Sequence, residues 1–533
     1  ALAVESLAKL ETPLAEVDER LRTLPAEERW ARLLPALFRF KEPAAVPLAA
    51  AALGLADREL HARGAYALAR EALPEGAVHL RSLLADPDPW VRGWAARGLG
   101  AVGEAGDLAR LRPFLDDPEP GPVIQALRAA KRLIQAGTGA APRDWAPRLA
   151  ALFADPRPGV AITAIEAAAA WLLDETLATP LRAAAAGGGG RRREVALVAL
   201  AEGKDPRAAE LAARAAGASE ATLRQRAAEA AGQLGDGQLL DRLASDASPA
   251  VRAAVLEARL RGVAAAALGA ARAALSDPDP VVRAAALEAL VERPEAPLAE
   301  LEAAAAAAWR DHPVDALLAA ARALRARGQA QDLERSAVRA RLETLAGHPD
   351  FLVRREAGQA LAALGHPAPS PFPATSERGA EVYREIAALT AAPREVQIDT
   401  RHGALRIRLA CPQAPLTCVN FLQLARQGFY DGLVFHRVVP DFVVQAGDPR
   451  GDGAGGPGYA IRDEINRLRY RRGVVGMALS GPDTGGSQFF ITLTDQPHLD
   501  GGYTAFGELV SGFEALDRIE QGDRIERVAV LAE

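Results

Sequence analysis

The sequence predicts two unlike parts in one chain: an all-α array of repeated helix pairs, then a β-rich domain. Three observations lead there. A phrase of the form Asp-x-x-Pro-x-Val-Arg recurs upstream of residue 360, prolines crowd between Pro367 and Pro373, and period-two alternation of apolar residues takes over beyond Arg394. At 533 residues the chain is too long for a single hydrophobic core.

The phrase stands at Asp86–Arg92, Asp246–Arg252 and Asp277–Arg283, with weaker copies beginning at Asp117, Asp155 and His348. Asp86 and Asp117, like Asp246 and Asp277, are 31 residues apart, a period that fits a two-helix unit. Each copy precedes apolar residues at helical spacing, such as Val282, Ala286, Leu287 and Leu290, while its Asp-Pro pair stops one helix and caps the next. Such pairs bury their apolar stripe only by stacking on neighbours, which gives a solenoid. The proline after the turn, the Val-Arg pair and the small residues at helix crossings resemble HEAT repeats, and the recurring arginine and aspartate suggest a hydrogen-bonded ladder along the stack. The array is expected over 40–366, with helices in 1–39 capping it. Gly187–Gly190 followed by Arg191–Arg193 is either a flexible corner or, through bared amides and guanidiniums, a phosphate site.

Pro367, Pro369, Pro371 and Pro373 mark a stiff linker, and a short amphipathic helix from about Glu377 to Leu389 completes a boundary segment over 367–392. From 393 to 533 the pattern is of strands. Val396 and Ile398, then Leu405, Ile407 and Leu409 after an Arg401-His402-Gly403 turn, read as a half-buried hairpin.

Composition excludes several classes of function. A net charge of -6, with arginines interspersed among acids, argues against a dedicated nucleic-acid binder. Cys411 and Cys418 are the two cysteines, without metal-site or disulfide-framework spacing, so free packed thiols are expected. No stretch reads as a bilayer span. The chain starts at Ala1 without a charged-then-apolar leader pattern, as expected if an initiator methionine or a whole export segment has been removed, and cytoplasm and bacterial envelope both stay open.

The runs Phe435–Asp448, Gly476–Pro482 and Gly485–Ile491, with Thr417–Phe421, Gly428–Gly432, Leu499–Gly501 and Phe506-Gly507, together resemble the cyclophilin family of peptidyl-prolyl isomerases over about 395 to 531. The resemblance implies a closed antiparallel β-barrel with capping helices. It implies an active groove lined by Arg437, Phe442, Val443, Gln445, Ala478, Gln488, Phe490, Leu499 and Tyr503, with Leu479 and His498 at family positions, and no cofactor. Departures are Val443 for methionine, Leu479 for asparagine, His498 for tryptophan or phenylalanine, and Tyr503 for histidine. The His498 exchange implies weak binding of cyclosporin.

The chemistry fits these residue types. Rotation about a prolyl amide faces a barrier of roughly 18–20 kcal/mol and breaks no covalent bond. A catalyst has only to favour the twisted state, whose nitrogen lone pair accepts a hydrogen bond that the planar amide does not. Arginine donates at every working pH. Alternation puts Phe435 and Arg437 on one strand face, with Val443 and Gln445 returning beside them after Pro440-Asp441; a buried arginine among apolar residues is expected. Phe442, Val443, Phe490 and Leu499 would take the proline ring, and Gln445 and Gln488 would hold the guanidinium or substrate carbonyls. Ser487, His498 and Asp500 lack a nucleophile elbow, so hydrolysis is not expected, and neither His436 nor His498 has a metal-ligand pattern. The expected function is Xaa-Pro isomerisation in protein clients, with the solenoid binding a client or partner; the alternative is a non-catalytic proline-binding adaptor or assembly scaffold.

Overall fold

The computed structural model describes residues 2–171, 175–187, 190–262, 264–291, 314–330, 335–369, 380–389 and 394–531. Helices follow one another from Leu2–Lys9 to Phe351–Ala363, and a further helix spans Ala380–Leu389. Most of the proline-rich stretch lies outside the described residues.

The recurring phrase is the turn within each helix pair, and its residues show why. Asp88 accepts the Trp90 amide at 2.8 Å, capping the Pro89–Val102 helix, and Pro89 takes the first helical position, where a missing N–H leaves nothing unpaired. The ladder joins neighbouring units. Arg92 donates to Asp117 of the next unit at 3.0–3.2 Å while its Nη1 donates to the carbonyls of Asp86 and Pro87. Arg224 meets Asp246 at 2.7 and 2.9 Å, and Arg252 meets Asp277 at 2.7 Å through both nitrogens. This fork uses the planarity of guanidinium, which lysine lacks. Small residues set the helix spacing: a Cβ on Gly100 would fall 2.7 Å from Ala129 Cα.

At the Gly187–Arg193 corner the guanidiniums have internal partners. Arg191 donates to Glu194, Arg192 to the carbonyls of Phe153 and Asp155, and Arg193 to the Ala185 carbonyl; Gly188 and Gly189 lie outside the described residues.

The C-terminal domain is one antiparallel sheet of β1 (Arg394–Thr400), β2 (Gly403–Leu409), β3 (Arg437–Val439), β4 (Val443–Ala446), β5 (Val474–Met477), β6 (Phe489–Thr492), β7 (Ala505–Ser511) and β8 (Ile525–Val530). The order is β3-β4-β6-β5-β7-β2-β1-β8. The sheet curls until its ends meet at a bridge between Val434 and Arg524, supported by Phe435 N–H to the Asp523 carbonyl and Ile525 N–H to the Leu433 carbonyl, 2.8 Å each. The interior holds Val396, Ile398, Ile407, Val444, Met477, Phe489 and Phe506, and the Pro415–Arg426 helix adds Cys418, Phe421 and Leu422 to it. Both cysteines are buried and free.

The solenoid and barrel touch along the length of the array. Glu59 binds Arg469 and Arg471, the Trp90 indole donates to the Asp495 carbonyl at 3.2 Å, Gln125 donates to Asp441 at 2.6 Å, Arg450 reaches Asp279 at 3.0 Å and Arg355 reaches Asp483 at 3.2 Å. Gly159 lies under Pro440, whose Cβ would be 3.0 Å from any added Cβ. The solenoid therefore wraps the barrel.

The ladder makes stability pH-dependent. Hydrogen bonds from Arg224 hold Asp246 below the usual carboxylate range; at Asp277 burial pushes upward, but the hydrogen bonds from Arg252 and the Asp279 amide outweigh it. A depressed folded-state pKa contributes stability that is full above the unfolded value of about 4 and is lost as pH falls through the folded value. The ladder's own share of stability, read by circular dichroism as the melting-temperature difference between the parent and Arg252→Ala, is expected to be level from about pH 8 to 5 and to shrink below about pH 4. Arg252→Ala is expected to cost about 1–2 kcal/mol, the pair lying where water still screens it, and a variant that melts like the parent would contradict the ladder's role.

Candidate active site

Opposite residues of an antiparallel pair share a face, and β3 and β4 pair with Arg437 against Gln445, Val438 against Val444 and Val439 against Val443. Val444 points into the barrel; Arg437, Gln445 and Val443 are on the other face. Arg437 Nη1 donates to Gln445 Oε1 at 3.2 Å, and Gln445 Nε2 donates to Gln488 Oε1 at 3.0 Å. Gln488 Nε2 is in turn spent on the carbonyls of Gly453 and Gly455, 2.8 Å each. The chain of amides leaves the guanidinium aimed over the Phe442 ring, with Cζ 5.7 Å from its centroid.

Beside the arginine lies an apolar cluster separate from the barrel interior. Val443, Phe490 and Leu499 are buried in it, with Phe442, Ala478 and Tyr503 packed at its edge. Phe490 meets Tyr503 edge-on at 5.8 Å and stacks on Tyr470 at 5.5 Å. Gly476 makes room for it, since a Cβ there would fall 2.4 Å from the Phe490 ring. His498 stacks on Phe442 at 5.5 Å and 22°.

The sequence reading differs at three points. Arg437 is exposed rather than buried, because its strand face looks away from the sealed interior. Phe435 does not share that face: it is fully buried in the barrel core, and alternation breaks where the chain leaves the Val434–Arg524 bridge to pair with β4. Leu479 packs against the barrel core, outside the groove cluster. Ser487 is buried and donates to the Gly447 carbonyl at 2.6 Å, unavailable as a nucleophile. Among the described residues no group of three His, Cys, Asp or Glu could hold a metal.

Tyr470, Thr494 and Gln496 went unnoticed in the sequence, whereas Gly476 and the Pro440-Asp441 turn were read there. Tyr470 and Gly476 support Phe490 from behind. Asp441 turns the β3–β4 hairpin at φ 60°, following Pro440, with the Phe442 amide closing on the Val439 carbonyl at 3.0 Å. Thr494 and Gln496 donate to the Asp441 carbonyl, 3.0 Å each. The Pro-Asp pair was a visible turn signal; Tyr470 carried none.

An arginine held by paired glutamines thus stands beside an aromatic-floored groove on the outer face of the curled sheet. Residues 395–532 match the family model "Cyclophilin type peptidyl-prolyl cis-trans isomerase/CLD", and residues 45–132 match HEAT repeats. Similar proteins include the peptidyl-prolyl cis-trans isomerase of Helicobacter pylori, 49% identical over 25% of this chain and 83% of its own length. Peptidyl-prolyl cis-trans isomerase CYP18-2 of Arabidopsis thaliana is 47% identical over 24% and 80%, and peptidyl-prolyl cis-trans isomerase B of Bacillus subtilis is 51% identical over 22% and 83%. The chain belongs to the cyclophilin-type peptidyl-prolyl cis-trans isomerases, with a HEAT-repeat array in front of the catalytic domain.

His498 supplies a test of the geometry. Burial, then the charges of Arg70, Arg97 and Arg39, pull its imidazole down to about 4. The ring is therefore neutral at pH 7, and because its folded value lies below the unfolded one near 6.5, stability from this residue falls as pH drops between them. The ring-proton NMR shifts of His498 are expected to stay flat from about pH 8 to 5.5; a midpoint near 6.5 would mean that the solenoid does not cover this ring.

Proposed function

We propose that Arg437 is the catalytic donor, that Gln445 and Gln488 position it, and that Phe442, Val443, Ala478, Phe490, Leu499 and Tyr503 receive the proline ring. The observation that carries this is the Arg437–Gln445–Gln488 relay beside a separate apolar cluster. As the amide twists, its nitrogen gains a lone pair that the Arg437 guanidinium can meet, so the contact strengthens in the transition state. The relay removes rotamer freedom that arginine would otherwise lose on reaching that geometry. A peptide seated on the cluster displaces water from the exposed guanidinium and strengthens its field. No cofactor enters this scheme.

The clients are proline-containing polypeptides, and the solenoid is a protein-binding arm that raises their concentration at the groove, a role in protein folding. The expectation that the residues of 40–366 act as one binding surface rests on the Arg92–Asp117, Arg224–Asp246 and Arg252–Asp277 rungs and on the barrel seated against the helices.

Arg437→Ala is expected to lower kcat/KM for a succinyl-Ala-Ala-Pro-Phe anilide by about 10²–10³ in a protease-coupled assay. Arg437→Lys should restore little, since a point charge cannot keep the Gln445 bond and face the imide together. Equal rates for the parent and Arg437→Ala would remove the assignment.

A further inference from the structure

The groove wall formed by Asp441, Phe442 and His498 is seated on the solenoid, and the surface beyond it is basic. Arg39 Nη2 lies 3.5 Å from the His498 carbonyl. Arg58–Glu71, Pro89–Val102 and Pro120–Gln135 pack side by side, with Gly98 against Ala69 and Gly100 against Ala129. That packing sets Arg70, Arg97 and Arg128 in a row across three successive units, and Arg132 follows one turn later on the last helix. Arg70 and Arg97 lie over the rings of Phe38 and Trp94, 5.8 and 4.9 Å from the centroids.

Among the described residues none of Arg70, Arg97, Arg128 and Arg132 forms an ion pair or hydrogen bond to a carboxylate, unlike the arginines of the ladder. They also feel one another: burial first, then Arg70, Arg132 and Arg128, pull Arg97 below its ordinary value. Compensation is thin. Asp441, which also accepts from Gln125, faces Arg128 and Arg97, Glu166 faces Arg128, and burial pushes Glu71 up to about 9, so that it carries no charge at pH 7. A row of like charges with fewer counter-charges than cations is a cost that an anionic ligand relieves.

Resting on the isomerase reading, the anion that arrives at this place belongs to the polypeptide in the groove. We propose that the Arg70–Arg97–Arg128–Arg132 row is an extension of the substrate groove that grips acidic side chains flanking the reacting proline, so that the full chain selects Xaa-Pro bonds in acidic segments. The barrel alone carries the chemistry; the solenoid supplies the selection.

The test measures kcat/KM by exchange NMR for the full chain on three Ala-Pro peptides, with glutamates, lysines or neutral residues on both sides. The glutamate peptide is expected to exceed the lysine peptide by about tenfold at low salt. The ratio should shrink towards one near 0.5 M salt, where the Debye length is only ~4 Å. Arg97→Glu with Arg128→Glu should invert the ratio; the salt titration on the unaltered chain keeps the test valid should that variant fail to fold. Equal kcat/KM for the two charged peptides, or a preference that salt leaves untouched, overturns the proposal while turnover of the neutral peptide leaves isomerisation standing. Absence of turnover on all three overturns both.

Discussion

The opposition of Arg437 and Gln445 across β3 and β4 is the constraint from which the rest of the site follows. A strand slipped by one residue would turn Val438 and Val444 outward and drive the guanidinium into the barrel core. What prevents the slip is the turn from Val439 to Phe442, where proline sets one dihedral and Asp441 accepts a left-handed one. Thr494 and Gln496 hold that aspartate's carbonyl, while Gln125 of the solenoid holds its carboxylate. The register of the β3–β4 hairpin and the seating of the barrel thus share one turn.

The solenoid's contribution depends on how its described units are tied to one another. Each ladder arginine ties its own turn to the aspartate of the next unit, so the spacing of Glu59, Trp90, Gln125 and Asp279 is set by the stack rather than by chance contacts. Those residues meet the barrel at loops on its groove side, including the 439–442 turn and the 495–500 segment. The arm and the site face each other. A freely tethered barrel would have no reason to place the Asp495 carbonyl on a tryptophan or Pro440 on a glycine.

Much of this was legible from residues alone, and the failures have physical causes. The helix pairs, the ladder and the β1–β2 hairpin follow from local signals: capping aspartates, first-turn prolines, a two-residue turn between alternating runs. Arg437 and Gln445 fell opposite each other because Pro440-Asp441 announced the turn. Phe435 was misplaced because alternation holds only while a strand keeps one partner, and the chain changes partners at 435–436. Arg437 was expected buried because apolar neighbours in sequence were read as neighbours in space. The docking of barrel on solenoid left no trace in any local pattern: Gln125, Trp90 and Arg39 look like ordinary helix-surface residues until the tertiary fold puts Asp441, Asp495 and His498 beside them.

The most direct measurement is a crystal structure of the full chain with an Ala-Pro peptide bound. The account requires the proline ring on Phe442, Phe490 and Leu499, a guanidinium nitrogen of Arg437 turned to the imide nitrogen, and the Gln445 bond intact. A peptide bound elsewhere, or an Arg437 drawn away from the prolyl bond while the peptide occupies the groove, would contradict it.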